Sequence, residues 1–211
     1  MTNQFLTIGP EDAECTILLA HGAGAAMDSG AMTAMAEALS AEVLRVVRFE
    51  FGYMAARRSG GSRRPPPRAE RLKEEYLAAA RNLRCDGPLI IGGKSMGGRV
   101  ASMVVDDLLP EGVSGLLCLG YPFHPPGKPE RLRTAHLKEV RAPTLICQGT
   151  RDPFGSLIEV SDYDLSPAIE VFWLKDGDHD LRPRKSVSGH STADHMMTMA
   201  RKVAAWSKAI A

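Results

Sequence analysis

The chain has 211 residues, 44% of them hydrophobic and 24% charged, enough to bury one substantial core and expected to form a single domain over residues 1–211. A formal net charge of +1 offers no global field to draw in nucleic acid or an acidic membrane, so an electrostatic partner has to be sought in local patches. No apolar run reaches the roughly 18 residues of a membrane-spanning helix, and Met1-Thr2-Asn3-Gln4 lacks the basic start of a secretory signal, which makes the cytoplasm the expected compartment.

The first β-type run, Cys15 to Ala20, leads directly into His21-Gly22-Ala23-Gly24. Met32, Met35, Ala36 and Leu39 then repeat at helical intervals before a second run, Leu44 to Phe51. After it, Arg57 to Arg68 is rich in Arg, Pro, Gly and Ser, a loop by composition. Leu72, Tyr76, Ala80 and Leu83 mark the next helix, and the third run, Leu89 to Gly92, ends in Gly93-Lys94-Ser95-Met96-Gly97, followed by helically spaced apolar residues from Gly98 to Val105. A fourth run, Gly115 to Gly120, precedes Tyr121-Pro122-Phe123-His124, and the interval up to Pro143 has room only for a loop and one short helix near Arg131 to Glu139. The fifth and sixth runs, Thr144 to Gln148 and Ile169 to Leu174, end in Gly149-Thr150-Arg151-Asp152 and in Asp176-Gly177-Asp178-His179-Asp180; Met196, Ala200 and Val203 close the chain as a helix. This rhythm predicts an α/β fold with a mostly parallel central sheet and helices on both faces. Ligands of such sheets bind outside the carboxyl ends of the strands.

Cys15, Cys85, Cys118 and Cys147 are scattered without a C-x-x-C pair, and three of them sit in or beside apolar runs, so buried, reduced thiols are expected in place of disulfides or a zinc site. Histidine spacings make no zinc motif, and neither a metal nor a cofactor is expected. Gly93-Lys94-Ser95 invites a phosphate-binding-loop reading, but the motif G-x-x-x-x-G-K-[ST] requires glycine where Pro88 stands.

Gly93-Lys94-Ser95-Met96-Gly97 completes G-x-S-x-G directly after a strand and before a helix, the turn that holds a serine hydroxyl at its tip. Serine is a poor nucleophile at neutral pH and needs a base, and the base needs a third group to set its tautomer. Ser95, Asp152 and His179 each follow a strand and occur in the order nucleophile, acid, histidine, so His179 is expected to take the proton from Ser95 and Asp152 to orient the imidazole. The backbone N–H groups of Met96 and Ala23 are the expected oxyanion donors. Further candidates for contact with substrate are His21, Gly22, Gly24, Lys94 and His124: His21 chiefly as a shaper of the oxyanion loop, Lys94 as a positive charge beside the nucleophile, His124 as a lining of the pocket. His136, His190 and His195 read as helix or surface residues.

Together the His-Gly-x-Gly loop, the Gly-Lys-Ser-Met-Gly-Gly elbow, the Gly-Thr-Arg-Asp-Pro-Phe turn and the Gly-Asp-His-Asp turn resemble those of small α/β-hydrolases of the dienelactone-hydrolase-like and carboxylesterase-like kind, most of all a bacterial group of predicted α/β-family hydrolases. The resemblance runs from Thr16 to the last helix and implies a compact α/β-hydrolase fold without a lid domain, its N-terminal strands shortened. An open site suits a small water-soluble ester, thioester or lactone. An amide or peptide hydrolase uses the same constellation, and a non-catalytic interaction protein on this fold is the rival from another class. Arg57, Arg58, Arg63 and Arg64 have two readings, recognition of a carboxylate or phosphate on an anionic substrate or a solvated loop; the stretch Arg182-Pro183-Arg184-Lys185 has the same two.

Overall fold

A computed structural model describes residues 4–61 and 65–210. The strands are β1 (Phe5–Ile8), β2 (Thr16–Ala20), β3 (Arg45–Phe49), β4 (Leu89–Lys94), β5 (Val113–Leu119), β6 (Thr144–Gly149) and β7 (Ile169–Leu174). The helices are α1 (Gly30–Ser40), α2 (Gly52–Arg58), α3 (Lys73–Asn82), α4 (Met96–Ser102), α5 (Val105–Leu108), α6 (Leu157–Val160), α7 (Lys185–Ser188) and α8 (Thr192–Ile210). One sheet carries all seven strands in the order β1-β3-β2-β4-β5-β6-β7. Every neighbouring pair from β3 to β7 is parallel, and β1 alone runs antiparallel, on β3.

β1 is the strand that sequence reading did not find. It is a four-residue, partly buried edge strand, Phe5 opposite Phe49 and Ile8 opposite Val46, too short to show alternation above its surroundings. The interior strands are read easily because both faces are covered: β2 is buried at all five positions, with Ile17 and Leu19 on one face and Leu18 and Ala20 on the other. The first pair packs with α1 and α8; the second packs with α3, α4 and the aromatic group Phe49, Phe51 and Tyr76. Met32, Met35, Ala36 and Leu39 are the buried stripe of α1, as their spacing predicts, and α8 buries Met199, Ala200 and Val203.

Two helical expectations are modified. The pattern from Gly98 to Val105 breaks after Ser102, whose hydroxyl donates back to the Arg99 carbonyl at 2.7 Å, and a separate helix starts at Val105. The short helix expected over Arg131 to Glu139 is a single 3-10 turn at Ala135–Lys138. The four cysteines are free, with Cys15, Cys118 and Cys147 buried and their thiols pushed up by burial. Among the described residues, no helix is long and apolar enough to cross a membrane.

Strand order also places the site. The chain steps from β2 outward to β3 and then back past β2 to β4, so the connections at the carboxyl ends of β2 and β4 diverge and leave a crevice there. Ala20 pairs with Gly93 across that boundary, which brings the loop beginning at His21 beside the turn that carries Ser95.

Candidate active site

Ser95 stands between β4 and α4 with φ 52° and ψ −115°, outside the comfortable range of an L-residue. It is held there from both sides: its N–H donates to Leu119 O at 3.1 Å, and its carbonyl accepts from the Arg99 N–H at 3.0 Å. The flanking glycines are required by close approach. A Cβ on Gly97 would lie 2.4 Å from Ala20 O, and one on Gly93 2.5 Å from the same oxygen, so the elbow seats directly on β2.

The acid and histidine turns follow β6 and β7, whose ends are paired at Gly149 and Leu174. Asp152 is fully buried, yet its carboxylate accepts three hydrogen bonds: from Gln148 Nε2 at 2.9 Å, the Phe154 N–H at 2.8 Å and His179 Nδ1 at 2.8 Å. With Nδ1–H donating to Asp152, His179 Nε2 is left as the acceptor for the Ser95 hydroxyl, 2.8 Å away. To reach Ser95 the His179 turn must cross the end of β5. Gly120, at φ 67°, makes room for it, since a Cβ there would lie 2.6 Å from His179 O.

Lys94 is not at the substrate side of the elbow. Its side chain is buried, its ammonium donates to His179 O at 2.8 Å, and Asp180 Oδ1 lies 3.4 Å from it; burial pulls the ammonium below its usual range. The expected local charge beside the nucleophile is therefore a tether for the histidine turn. His21 is likewise corrected as a substrate contact: it is fully enclosed, with Nδ1–H donating to Gly22 O at 2.6 Å and Nε2 accepting from the Phe51 N–H at 3.1 Å. Burial keeps its ring toward the neutral form, as those two bonds require. It shapes the loop it begins. His124 is enclosed too, bonded to Pro125 O and facing Glu159 at 3.5 Å, and the neighbouring Pro122 takes the place on the cleft wall assigned to it. Gly22 backs onto Ser95, whereas Gly24 is exposed with nothing close to it.

A cleft of about 450 Å³ opens over Ser95, lined also by Ala23, Met96 and Phe154. Ala23 and Met96 have N–H groups that donate to no other group among the described residues, and Tyr53 steadies the first loop by donating to Ala23 O at 2.9 Å.

Two site residues escaped sequence reading, Phe154 and Gln148. Phe154 stacks on the His179 ring at 4.1 Å between centroids. Gln148, fully buried, is bonded to Asp152 and also to Tyr121 and Gly155, tying the acid turn to the end of β5. The available signal was a polar residue at the buried carboxyl end of an otherwise apolar strand. Arg184 clamps Asp176, whose carboxyl its guanidinium lowers to about 2, so the basic stretch after His179 braces that turn from outside.

The other basic segment divides: Pro66, Pro67 and Arg68 at its end line the cleft, whereas its start does not. Arg57 and Arg58 end helix α2 instead of starting a loop; Arg58 pairs with Asp28 at 2.7 Å and Glu50 at 2.9 Å, and Arg57 lies over the Tyr53 ring. Arg63 and Arg64 fall outside the described residues. His195, read as a helix or surface residue, is on α8 but buried, donating from Nδ1 to Leu181 O.

Sheet order, elbow and rim turns define an α/β-hydrolase fold. The chain belongs to the alpha/beta hydrolase domain family, whose model matches residues 13–208. Among solved structures it is similar to a dienelactone hydrolase from Anabaena variabilis (TM-score 0.74, 19% identity, covering 99% of this chain and 92% of that one). It is also similar to the esterase domain of a Rhodothermus marinus protein (0.63, 17%, 99% and 99%) and to an alpha-beta serine hydrolase homologue from Coxiella burnetii (0.66, 18%, 95% and 89%).

Proposed function

We propose that this protein is a serine hydrolase that cleaves a carboxylic ester, thioester or lactone of a small substrate through an acyl-enzyme. One observation carries the reading: Asp152, His179 and Ser95 form an unbroken hydrogen-bonded relay, 2.8 Å at each link, at the mouth of a cleft. Ser95 Oγ attacks the carbonyl carbon while its proton passes to His179 Nε2, and Asp152 stabilises the imidazolium. The oxyanion lies against the N–H groups of Ala23 and Met96, each such donor worth about 3 kcal/mol in the transition state. Collapse expels the alcohol, thiol or lactone oxygen with the proton from His179; a water, deprotonated by the same nitrogen, then releases the acid. The dienelactone hydrolase and esterase neighbours favour ester or lactone over amide.

An active-site-directed fluorophosphonate tests this. Labelling of the wild type that disappears in Ser95→Ala, together with turnover of 4-nitrophenyl esters, is expected. A folded wild-type protein that neither labels nor turns over any ester would instead be an interaction protein on a hydrolase fold.

A further inference from the structure

The cleft over Ser95 has a cationic wall that the relay does not use. Arg68, Arg99 and Arg133 line it against one carboxylate, Glu70. Arg99 is taken up by Glu70 at 2.6 Å. The half-buried Arg133 guanidinium makes no ion pair or hydrogen bond among the described residues, and burial with the neighbouring Arg99 charge pushes it below its ordinary range.

This juxtaposition is built, not incidental. The Arg133 N–H donates to Phe123 O at 2.7 Å, and the Tyr121 hydroxyl lies 3.3 Å from Arg133 O. Ser102 donates to Arg99 O at 2.7 Å, and His136 Nε2 meets the same hydroxyl at 2.8 Å. Arg99 itself follows Ser95 by one helical turn, on the nucleophile's side of α4. Holding like charges together with the half-buried Arg133 left uncompensated costs stability, and an anion entering the cleft would relieve it. Guanidinium forks match carboxylate and phosphate oxygens.

We infer that the cleft selects esters bearing a carboxylate or phosphate group, received by Arg133 with Arg99 and Arg68 flanking it. The inference rests on the serine hydrolase reading for the reaction, but not for the binding.

The test compares kcat/KM for methyl hydrogen glutarate, with its anion on the acyl side, and O-acetyl-4-hydroxybutanoate, with its anion on the leaving side, against their carboxamide isosteres; matching phosphonates form a second arm. At least one anionic ester should exceed its neutral partner by about tenfold or more, and the ratio should fall toward one in Arg133→Gln. Because a ratio is read, any general loss of activity cancels. Arg131→Gln, which removes an exposed arginine outside the cleft, should leave the ratio intact. A ratio near one in the wild type, or an equal fall in Arg131→Gln, overturns the inference and leaves the hydrolase reading standing. The arm with the larger ratio tells carboxylate from phosphate. Calorimetry of glutarate and inorganic phosphate on Ser95→Ala reads the site without turnover: binding lost in Arg133→Gln/Ser95→Ala supports it, and no binding of either anion to Ser95→Ala counts against it. If esters are not hydrolysed but that Arg133-dependent binding persists, the reaction is wrong and the anion site is right.

Discussion

The Lys94 ammonium donates to the main-chain carbonyl of His179 at 2.8 Å, so the residue before Ser95 holds the residue proposed to deprotonate it. The contact links β4 to the turn after β7 across the end of β5, and Lys94 is nearly enclosed while making it. Replacing it with the similarly shaped Lys94→Met removes the tether without opening a large void. We expect kcat to fall by about tenfold or more with KM little changed, since small misplacements of a reacting group cost rate more than binding. Steady-state kinetics beside a thermal melt separates this from unfolding; a folded variant with wild-type kcat would show that Asp152 and Phe154 position the imidazole unaided.

Asp152→Asn should be more severe. The amide carries no charge to stabilise the imidazolium, and its N–H turned toward Nδ1 would hold the imidazole in the tautomer that cannot take the Ser95 proton, so a fall in kcat on the order of 10⁴ is expected. Single-turnover acylation by a 4-nitrophenyl ester measures it. Less than a tenfold loss would mean that a different base serves Ser95.

Gly97→Ala and Gly24→Ala make a matched pair for stability. The first puts a methyl 2.4 Å from a main-chain oxygen of β2, and the second puts one into open space. Urea titrations should show Gly97→Ala destabilised by about 3 kcal/mol or more, while Gly24→Ala stays within about 0.5 kcal/mol of wild type. Equal midpoints for the two would mean that the elbow can back away from β2.

His136 predicts a pH dependence. Burial, with the Arg99 charge acting in the same direction, lowers it from 6.5 to about 4. Between those values the unfolded chain binds a proton that the folded chain refuses, so folding stability declines as pH drops from 6.5 toward 4. His21, lowered by burial as well, acts in the same direction. Urea midpoints at pH 7 and pH 5 should therefore differ less in His136→Gln than in wild type, and an identical pH difference would overturn the assignment.

How far the site was legible depended on whether a residue acts through its place in a strand-end motif or through what a distant segment brings to it. Ser95, Asp152 and His179 each follow an apolar run, and a parallel sheet puts all such ends on one rim, so their convergence could be argued from order alone. Phe154 lay inside a recognised turn, but stacking on His179 depends on the relative orientation of two turns. The arginines divide for the same reason: Arg57 and Arg58, at the start of the conspicuous segment, are drawn into a helix and onto Asp28, Glu50 and Tyr53, while Arg68 at its end joins the inconspicuous Arg99 and Arg133 in lining the cleft.

By itself the sequence determined the alternation of strands and helices, the elbow with its obligatory glycines, and the residues offered at the rim, because hydrophobic period and backbone sterics are local properties. Only the tertiary structure decided that β1 caps the sheet, that Lys94 and His21 serve the frame instead of the cleft, and that Arg133 is left facing it. Those outcomes turn on burial and on which partners lie within about 3 Å, and neither is set until segments far apart in the chain have packed.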